Sequence, residues 1–172
     1  MTPETRKKLY ALKWRSFSPI CVIALLLCMA TTLYASDLDL SKAVRIGSGS
    51  KTVIEFTDPD CPFCRQASRY LDGRPDVTRY VFFVPLDSHP KAKEKVRFIL
   101  SQKDKARAYH DVMAGDKDNA KTLRATEQGA KLQRAHSEIA SRLGVKSMPT
   151  FMVFGRIIVG FDEQEFREIL GD

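Results

Sequence analysis

Cys61-Pro62-Phe63-Cys64 sets two thiols three residues apart, with Pro62 where a helix would begin. On the first turn of a helix both sulfurs face the same way, so they can close a disulfide with little backbone movement. With Cys61 as the N-cap residue, its sulfur stands where a capping oxygen would accept the N–H groups of Phe63 and Cys64. The helix field contributes roughly 0.3–2 kcal/mol towards a thiolate, and hydrogen bonds to an ionised acceptor roughly 1.5–3 kcal/mol. At about 1.36 kcal/mol per pKa unit, the pattern predicts a Cys61 thiol lowered by a few units from about 8.5. Phe63 offers no side-chain donor, and Asp58 and Asp60 add opposing charge, so the expected lowering stops short of extreme. Cys64, one turn deeper, is expected to be the buried resolving thiol.

Glu55 lies six residues before Cys61, in a run read as a buried strand. A carboxyl there needs a partner or a task. The expected task is to accept the proton of Cys64 during exchange; the plainer reading puts its head in water at a sheet margin. Met148-Pro149-Thr150 is the second motif. It follows a helix end and precedes a strand, where an X-Pro bond can redirect the chain.

The elements that must position these residues follow from periodicity. Residues 52–57 and 77–84 are β-branched and apolar on both faces, as buried central strands are. Between them, residues 62–71 read as a helix broken by Asp72-Gly73-Arg74-Pro75. Residues 89–143 are helical in character: Val96, Ile99, Ala106, Tyr109 and Met113 recur at helical intervals, as do Leu132, Ala135, Ile139 and Leu143. Ala114-Gly115 stops one helix and Gly144 caps another. Residues 150–154 and 157–161 flank Gly155-Arg156, which predicts a type II′ hairpin. Asp162 caps a last helix over 163–170. The order points to a mixed sheet with helices on both faces.

The first 35 residues read differently. Five basic residues precede an apolar run of 11 residues, Ile20 to Ala30, and the segment closes on Ala35. This is the pattern of a secretory signal peptide, and the run is short of the roughly 20 residues a transmembrane helix needs. A retained, tilted anchor is the alternative; Cys21 and Cys28 read as hydrophobic filler. Residues 36–51 are a short polar lead-in ending in a flexible Gly-Ser run. The chain of 172 residues carries 28 Lys plus Arg against 21 Asp plus Glu, a net +7. Removing the leader's five basic residues and one acidic residue leaves 23 against 20 in 137 residues. No dense basic run with interleaved aromatics survives, which excludes nucleic acid as the expected partner.

Phe56-Thr57-Asp58 leading into Cys61-Pro62-Phe63-Cys64, His89-Pro90 opening a helical insertion, Lys103-Asp104-Lys105, Asp111-Val112-Met113-Ala114-Gly115, and Gly144-Val145 before Pro149-Thr150 form an ordered set. Together they resemble the thioredoxin superfamily, specifically the catalytic domain of DsbC/DsbG-type periplasmic disulfide isomerases, over most of 52–172. The resemblance implies an α/β thioredoxin fold, a mixed central sheet flanked by helices, with an inserted helical subdomain at about 89–143. It implies a cis Pro149 beside the cysteines and a substrate-binding surface of Pro62, Phe63, Met148, Pro149 and Thr150. The Met148 backbone would pair with an extended substrate segment. Cys61 and Cys64 would carry the chemistry, joined by Glu55 on the reading of its strand given above, with no cofactor beyond the Cys61–Cys64 disulfide and no metal. Substrates would be unfolded or misoxidised proteins exported to the periplasm, and a DsbD-like membrane reductase would reset the pair.

Some features depart from that family. About sixteen residues precede the first strand, too few for its N-terminal dimerisation domain, so a monomer is expected, although the helical insertion could still build a dimer. Met148 replaces the usual Thr before the cis proline, Ser101 stands where one cysteine of a second pair would be, and Glu55 resembles the buried acid of thioredoxin and DsbA. The reductase or isomerase reading therefore competes with a monomeric DsbA-like dithiol oxidase reset by a DsbB-like partner. From another class comes a metal-binding CxxC protein, but His89, His110 and His136 lack the spacing of a second half-site. A purely structural disulfide is disfavoured because so short a loop restrains little of the unfolded chain.

Overall fold

In the computed structural model, which describes residues 38–171, a 3-10 turn (Leu40–Lys42) leads into β1 (Val44–Ile46) and β2 (Lys51–Thr57). Then come α1 (Pro62–Asp72), β3 (Val77–Phe83), α2 (Ala92–Ser101), α3 (Lys105–Met113) and α4 (Glu127–Arg142). The hairpin β4 (Thr150–Val153) and β5 (Arg156–Val159) and the helix α5 (Glu163–Leu170) complete the chain. The leader, with Cys21 and Cys28, lies outside the described residues. Among the described residues no helix is long and apolar enough to cross a membrane.

The sheet order is β1-β3-β2-β4-β5. Strands β2 and β3 are parallel, in register from Lys51 opposite Val77 to Thr57 opposite Phe83, and every other pairing is antiparallel. Side chains alternate along a strand. Val53, Glu55 and Thr57 therefore share a face with Arg79, Val81, Phe83, Phe151 and Val153. One half of that face packs Ala67 and Leu71 of α1 with Phe166 and Leu170 of α5. The other half packs Val96 and Ile99 of α2 with Tyr109 and Val112 of α3. Glu55 and Arg79 lie along the seam between these two apolar clusters.

On the opposite face Phe56 and Phe82 stack with ring centroids 5.3 Å apart. Burying each contributes about 1.5–3 kcal/mol. His136 of α4 meets Phe82 edge-on and closes the end of the sheet: its Nδ1 accepts from Phe83 N–H at 3.0 Å, and its Nε2 donates to Lys42 O at 2.8 Å. Burial holds this imidazole neutral, with its pKa lowered to about 4.

Two expectations change. The polar lead-in contains β1, whose Val44 and Ile46 turn inward against β3 while Arg45 faces out. Its glycines are close-approach positions: a Cβ on Gly49 would fall 1.9 Å from the carbonyl carbon of Asp76. The hairpin turns on Phe154 and Gly155, between the paired residues Val153 and Arg156, with φ of 48° and 78°. Positive φ at both central residues marks a type I′ turn rather than type II′.

Candidate active site

Strand β2 ends at Thr57, and the bend through Asp58-Pro59-Asp60 delivers Cys61 to the N-terminus of α1 as its N-cap residue. Pro62 occupies the first helical position, where its missing N–H costs nothing. Both cysteines are free thiols. Cys61 is 5% exposed and Cys64 is fully buried.

The expected capping bonds from Phe63 and Cys64 to the Cys61 sulfur are not made. Instead the Cys61 thiol points across to the loop before β4 and lies 3.7 Å from the carbonyl oxygen of Met148. The Met148–Pro149 peptide bond is cis. Phe63, 60% exposed, and Pro62 present an apolar surface beside Cys61.

Thr150 does not present its side chain to that surface. Its hydroxyl donates to Ser147 O at 2.6 Å, and its backbone stands between Phe56 of β2 and Val159 of β5. A residue flanked by strands on both sides braces the Met148-Pro149 loop from behind and has no ladder left for a substrate.

Behind Cys61, the Cys64 sulfur accepts from Asp58 N–H at 3.4 Å. Burial pushes the Cys64 thiol well above its ordinary range, and the nearby Thr57 hydroxyl and Asp58 N–H only partly offset it. Glu55 is fully buried mid-sheet, opposite Val81 and Phe151, so the margin reading fails. Tyr109 of α3 donates to its Oε1 at 3.2 Å, and Arg79 Nη1 lies 3.7 Å from its Oε2. Burial raises the Glu55 pKa, with the charge of Arg79 the largest opposing influence and the Thr57 and Tyr109 hydroxyls next. Thr57 Oγ1, on the same strand face as Glu55, is buried beside both Glu55 and Cys64 without a well-formed hydrogen bond to either.

The two carboxylates expected to oppose the Cys61 thiolate are committed elsewhere. Asp58 accepts from Asp60 N–H at 2.7 Å and Leu86 N–H at 2.6 Å, with His89 Nδ1 3.1 Å away. Asp60 is bound by Lys95 of α2 and, at 3.3 Å, by Arg65 of α1. Arg65 also holds Asp118, from the loop after α3, through two bonds of 2.7 Å.

The roles of Arg79, Tyr109 and Thr57 and the pairing within this charge cluster escaped the sequence reading. One signal was available: Arg79 is a lone charge inside the apolar run Val77–Phe83, and it is 2% exposed. Among the described residues, no three His, Cys, Asp or Glu side chains gather as a metal-ligand set.

The thioredoxin-like domain profile matches residues 38–172. A protein of Bordetella pertussis named as a probable thiol:disulfide interchange protein DsbC is 37% identical over 76 residues, 44% of this chain and 27% of that one. The chain thus matches about a quarter of that relative's length. A crystal structure of a disulfide interchange protein from Neisseria gonorrhoeae superposes with a TM-score of 0.66 at 26% identity, covering 78% of this chain and all of that one. A periplasmic thioredoxin-like protein from Salmonella enterica serovar Typhimurium shares the fold with a TM-score of 0.62 at 19% identity, over 80% of this chain and 94% of its own.

Proposed function

The chain belongs to the thioredoxin-like domain family, and from that premise we propose that it is an exported thiol:disulfide oxidoreductase reducing or isomerising disulfides in periplasmic proteins. The observation that carries this reading is the placement of Cys61 at the start of α1, beside the Met148 carbonyl and the cis Pro149, with Cys64 directly beneath it. A substrate segment laid along Met148 in extended form brings its own disulfide to the Cys61 sulfur.

Cys61 attacks as the thiolate, one substrate sulfur leaves as a thiolate, and a mixed disulfide joins Cys61 to the other. Cys64 then gives up its proton and attacks the Cys61 sulfur, expelling the second substrate thiolate, which takes up a proton. The substrate gains two electrons and the Cys61–Cys64 pair loses them. For isomerisation a different cysteine thiolate of the substrate attacks the substrate sulfur of the mixed disulfide instead: a new substrate S–S bond forms, Cys61 leaves as the thiolate, and the dithiol is regenerated without net oxidation. The pair is the only redox centre this chemistry uses.

The second step needs a proton acceptor, because Cys64 is buried and holds its proton tightly. Glu55, within the same buried group as Thr57 and Cys64, fills that role. Pro62, Phe63, Met148 and Pro149 form the substrate surface. A DsbD-like membrane reductase returns the pair to the dithiol form; an oxidase would instead be reset by a DsbB-like partner.

Cys64→Ala is expected to trap exported proteins covalently on Cys61, released by reductant and absent in Cys61→Ser. Failure to trap any protein in the native compartment overturns the reading. Thiol trapping there fixes direction: a reduced pair supports the reductase or isomerase, whereas an oxidised pair overturns it in favour of the oxidase.

A further inference from the structure

Tyr109 comes from the inserted helices, 54 residues from Glu55 in sequence, yet its ring is fully buried and its hydroxyl ends on the Glu55 carboxylate. The same hydroxyl accepts from Arg79 Nη1 at 3.1 Å. It is thus interposed between the guanidinium and the carboxylate, which face each other at 3.7 Å. Arg79 is in turn divided: its Nη2 is bound by Asp72, the last residue of α1, and Asp72 Oδ2 lies 3.3 Å from Nδ1 of the half-exposed His110.

We propose that Tyr109 is a positioning residue that favours the ionised form of Glu55, and that the inserted subdomain thereby sets the pH at which Cys64 resolves the mixed disulfide. The inference rests on the interchange reading and on Glu55 as the acceptor of the Cys64 proton.

The groups facing Glu55 define the expected signs. Arg79 from β3 and the hydroxyls of Tyr109 from α3 and Thr57 from its own strand favour the carboxylate. The negative charge of Asp72 from α1 disfavours it. The thiol of Cys64 from α1 lies next to Thr57, and His110 reaches the group through Asp72 and through its edge-on contact with the Tyr109 ring. Tyr109 therefore lowers, and Asp72 raises, the pH at which Glu55 gives up its proton. Removing one hydrogen bond to an ionised group moves such a midpoint by about one pH unit.

The test uses the reduced protein and a chromogenic aryl disulfide. Attack by Cys61 releases one aryl thiolate and leaves a mixed disulfide; attack by Cys64 on Cys61 releases the second. Tyr109→Phe is expected to leave the rate of the first release in place and to raise the pH midpoint of the second by about one unit. Asp72→Asn, at the half-exposed end of the network, is expected to move it downward. Glu55→Gln abolishes the midpoint, and adding Tyr109→Phe to it slows resolution no further. Unmoved midpoints, shifts of the same sign, or a Tyr109→Phe effect that persists with Glu55→Gln overturn the role of Tyr109. Absence of a second release from the unsubstituted protein, or its survival in Cys64→Ala, overturns the interchange reading and this inference with it. The opposite signs keep the test decisive should Tyr109→Phe also loosen packing, because loosening alone has no reason to move the two variants apart.

Discussion

Two charge clusters fasten the inserted helices to the helix that carries the cysteines, and they are built in opposite ways. In front of Cys61, two cations, Arg65 and Lys95, meet two carboxylates, Asp60 and Asp118, at the margin of solvent. Every member reaches two partners, and the Arg65–Asp118 pair is bidentate, the strongest geometry available to it. Behind Cys64 the count is less complete. Arg79 shares itself among Tyr109, Asp72 and a more distant Glu55, and the hydroxyls of Thr57 and Ser68 lack a partner. A fully paired cluster at the surface holds geometry. An under-satisfied one in a low-dielectric interior is where a proton is most easily moved. The molecule thus keeps mechanical attachment and proton handling on different sides of one cysteine pair.

The sharpest way to break this contrast is to remove Arg79. With Arg79→Leu, Glu55 stays buried without a counter-charge, and the expected loss is about 3–5 kcal/mol, measured as a fall in the urea midpoint at unchanged slope. Adding Glu55→Gln should recover part of that loss, because the uncompensated charge goes with it. A loss below about 1 kcal/mol would show that Glu55 is already held neutral and that the rear cluster carries no charge to move.

Acid separates a third buried group from these two. His136 has a folded pKa of about 4 against 6.5 when free, so the unfolded chain binds more protons between those values. Stability is therefore lost as pH falls through that window, by up to about 3 kcal/mol at its lower end. His136→Asn should flatten the slope between those pH values. Glu55 works in the other sense. Its raised folded pKa favours the folded state at low pH, and that contribution is lost as pH rises through it, so residual acid lability after His136→Asn cannot come from Glu55; within the rear cluster it can come only from Asp72, whose pKa is lowered.

How much of this was legible depended on sequence distance. Cys61 and Cys64 announced themselves because a three-residue spacing at a helix start is local information. Glu55 was nearly as plain, being six residues away on an apolar run. Its expected placement was right only once the pairing with β3 and β4 made it central. Tyr109 looked like one more apolar position on a helix face. Only the packing of α3 against β3 reveals that its hydroxyl ends on Glu55, and no local pattern encodes that meeting. Strand β1 has three residues, too few to show a period, and its alternation emerged only as pairing with Val81 and Arg79. The hairpin turn was misassigned because Gly155 takes the second central position, and Phe154 adopts a positive φ that few non-glycine residues visit.

The front cluster offers the smallest and most discriminating effect. Asp118 is about one-third exposed, so its pairing with Arg65 and Lys95 is screened by water, and Asp118→Asn is expected to cost only about 1 kcal/mol. The hydrogen bond from Arg65 holds the Asp118 pKa well below the usual carboxylate range; desolvation is the next influence and opposes it, and the hydrogen bond from Lys95 adds to the lowering. Its contribution is therefore present above the free Asp value of 3.8 and is lost as pH falls through the depressed one. Salt tells the clusters apart most cleanly. Between about 0.01 and 1 M the screening length contracts from about 30 to about 3 Å, which weakens pairs at the surface and leaves buried ones nearly untouched. Thermal midpoints should therefore decline with salt in the unsubstituted protein, decline less in Asp118→Asn, and keep the full salt slope in Tyr109→Phe. Equal slopes in all three would mean that the surface cluster is no more screened than the buried one, and the division between fastening and proton handling would lose its physical basis.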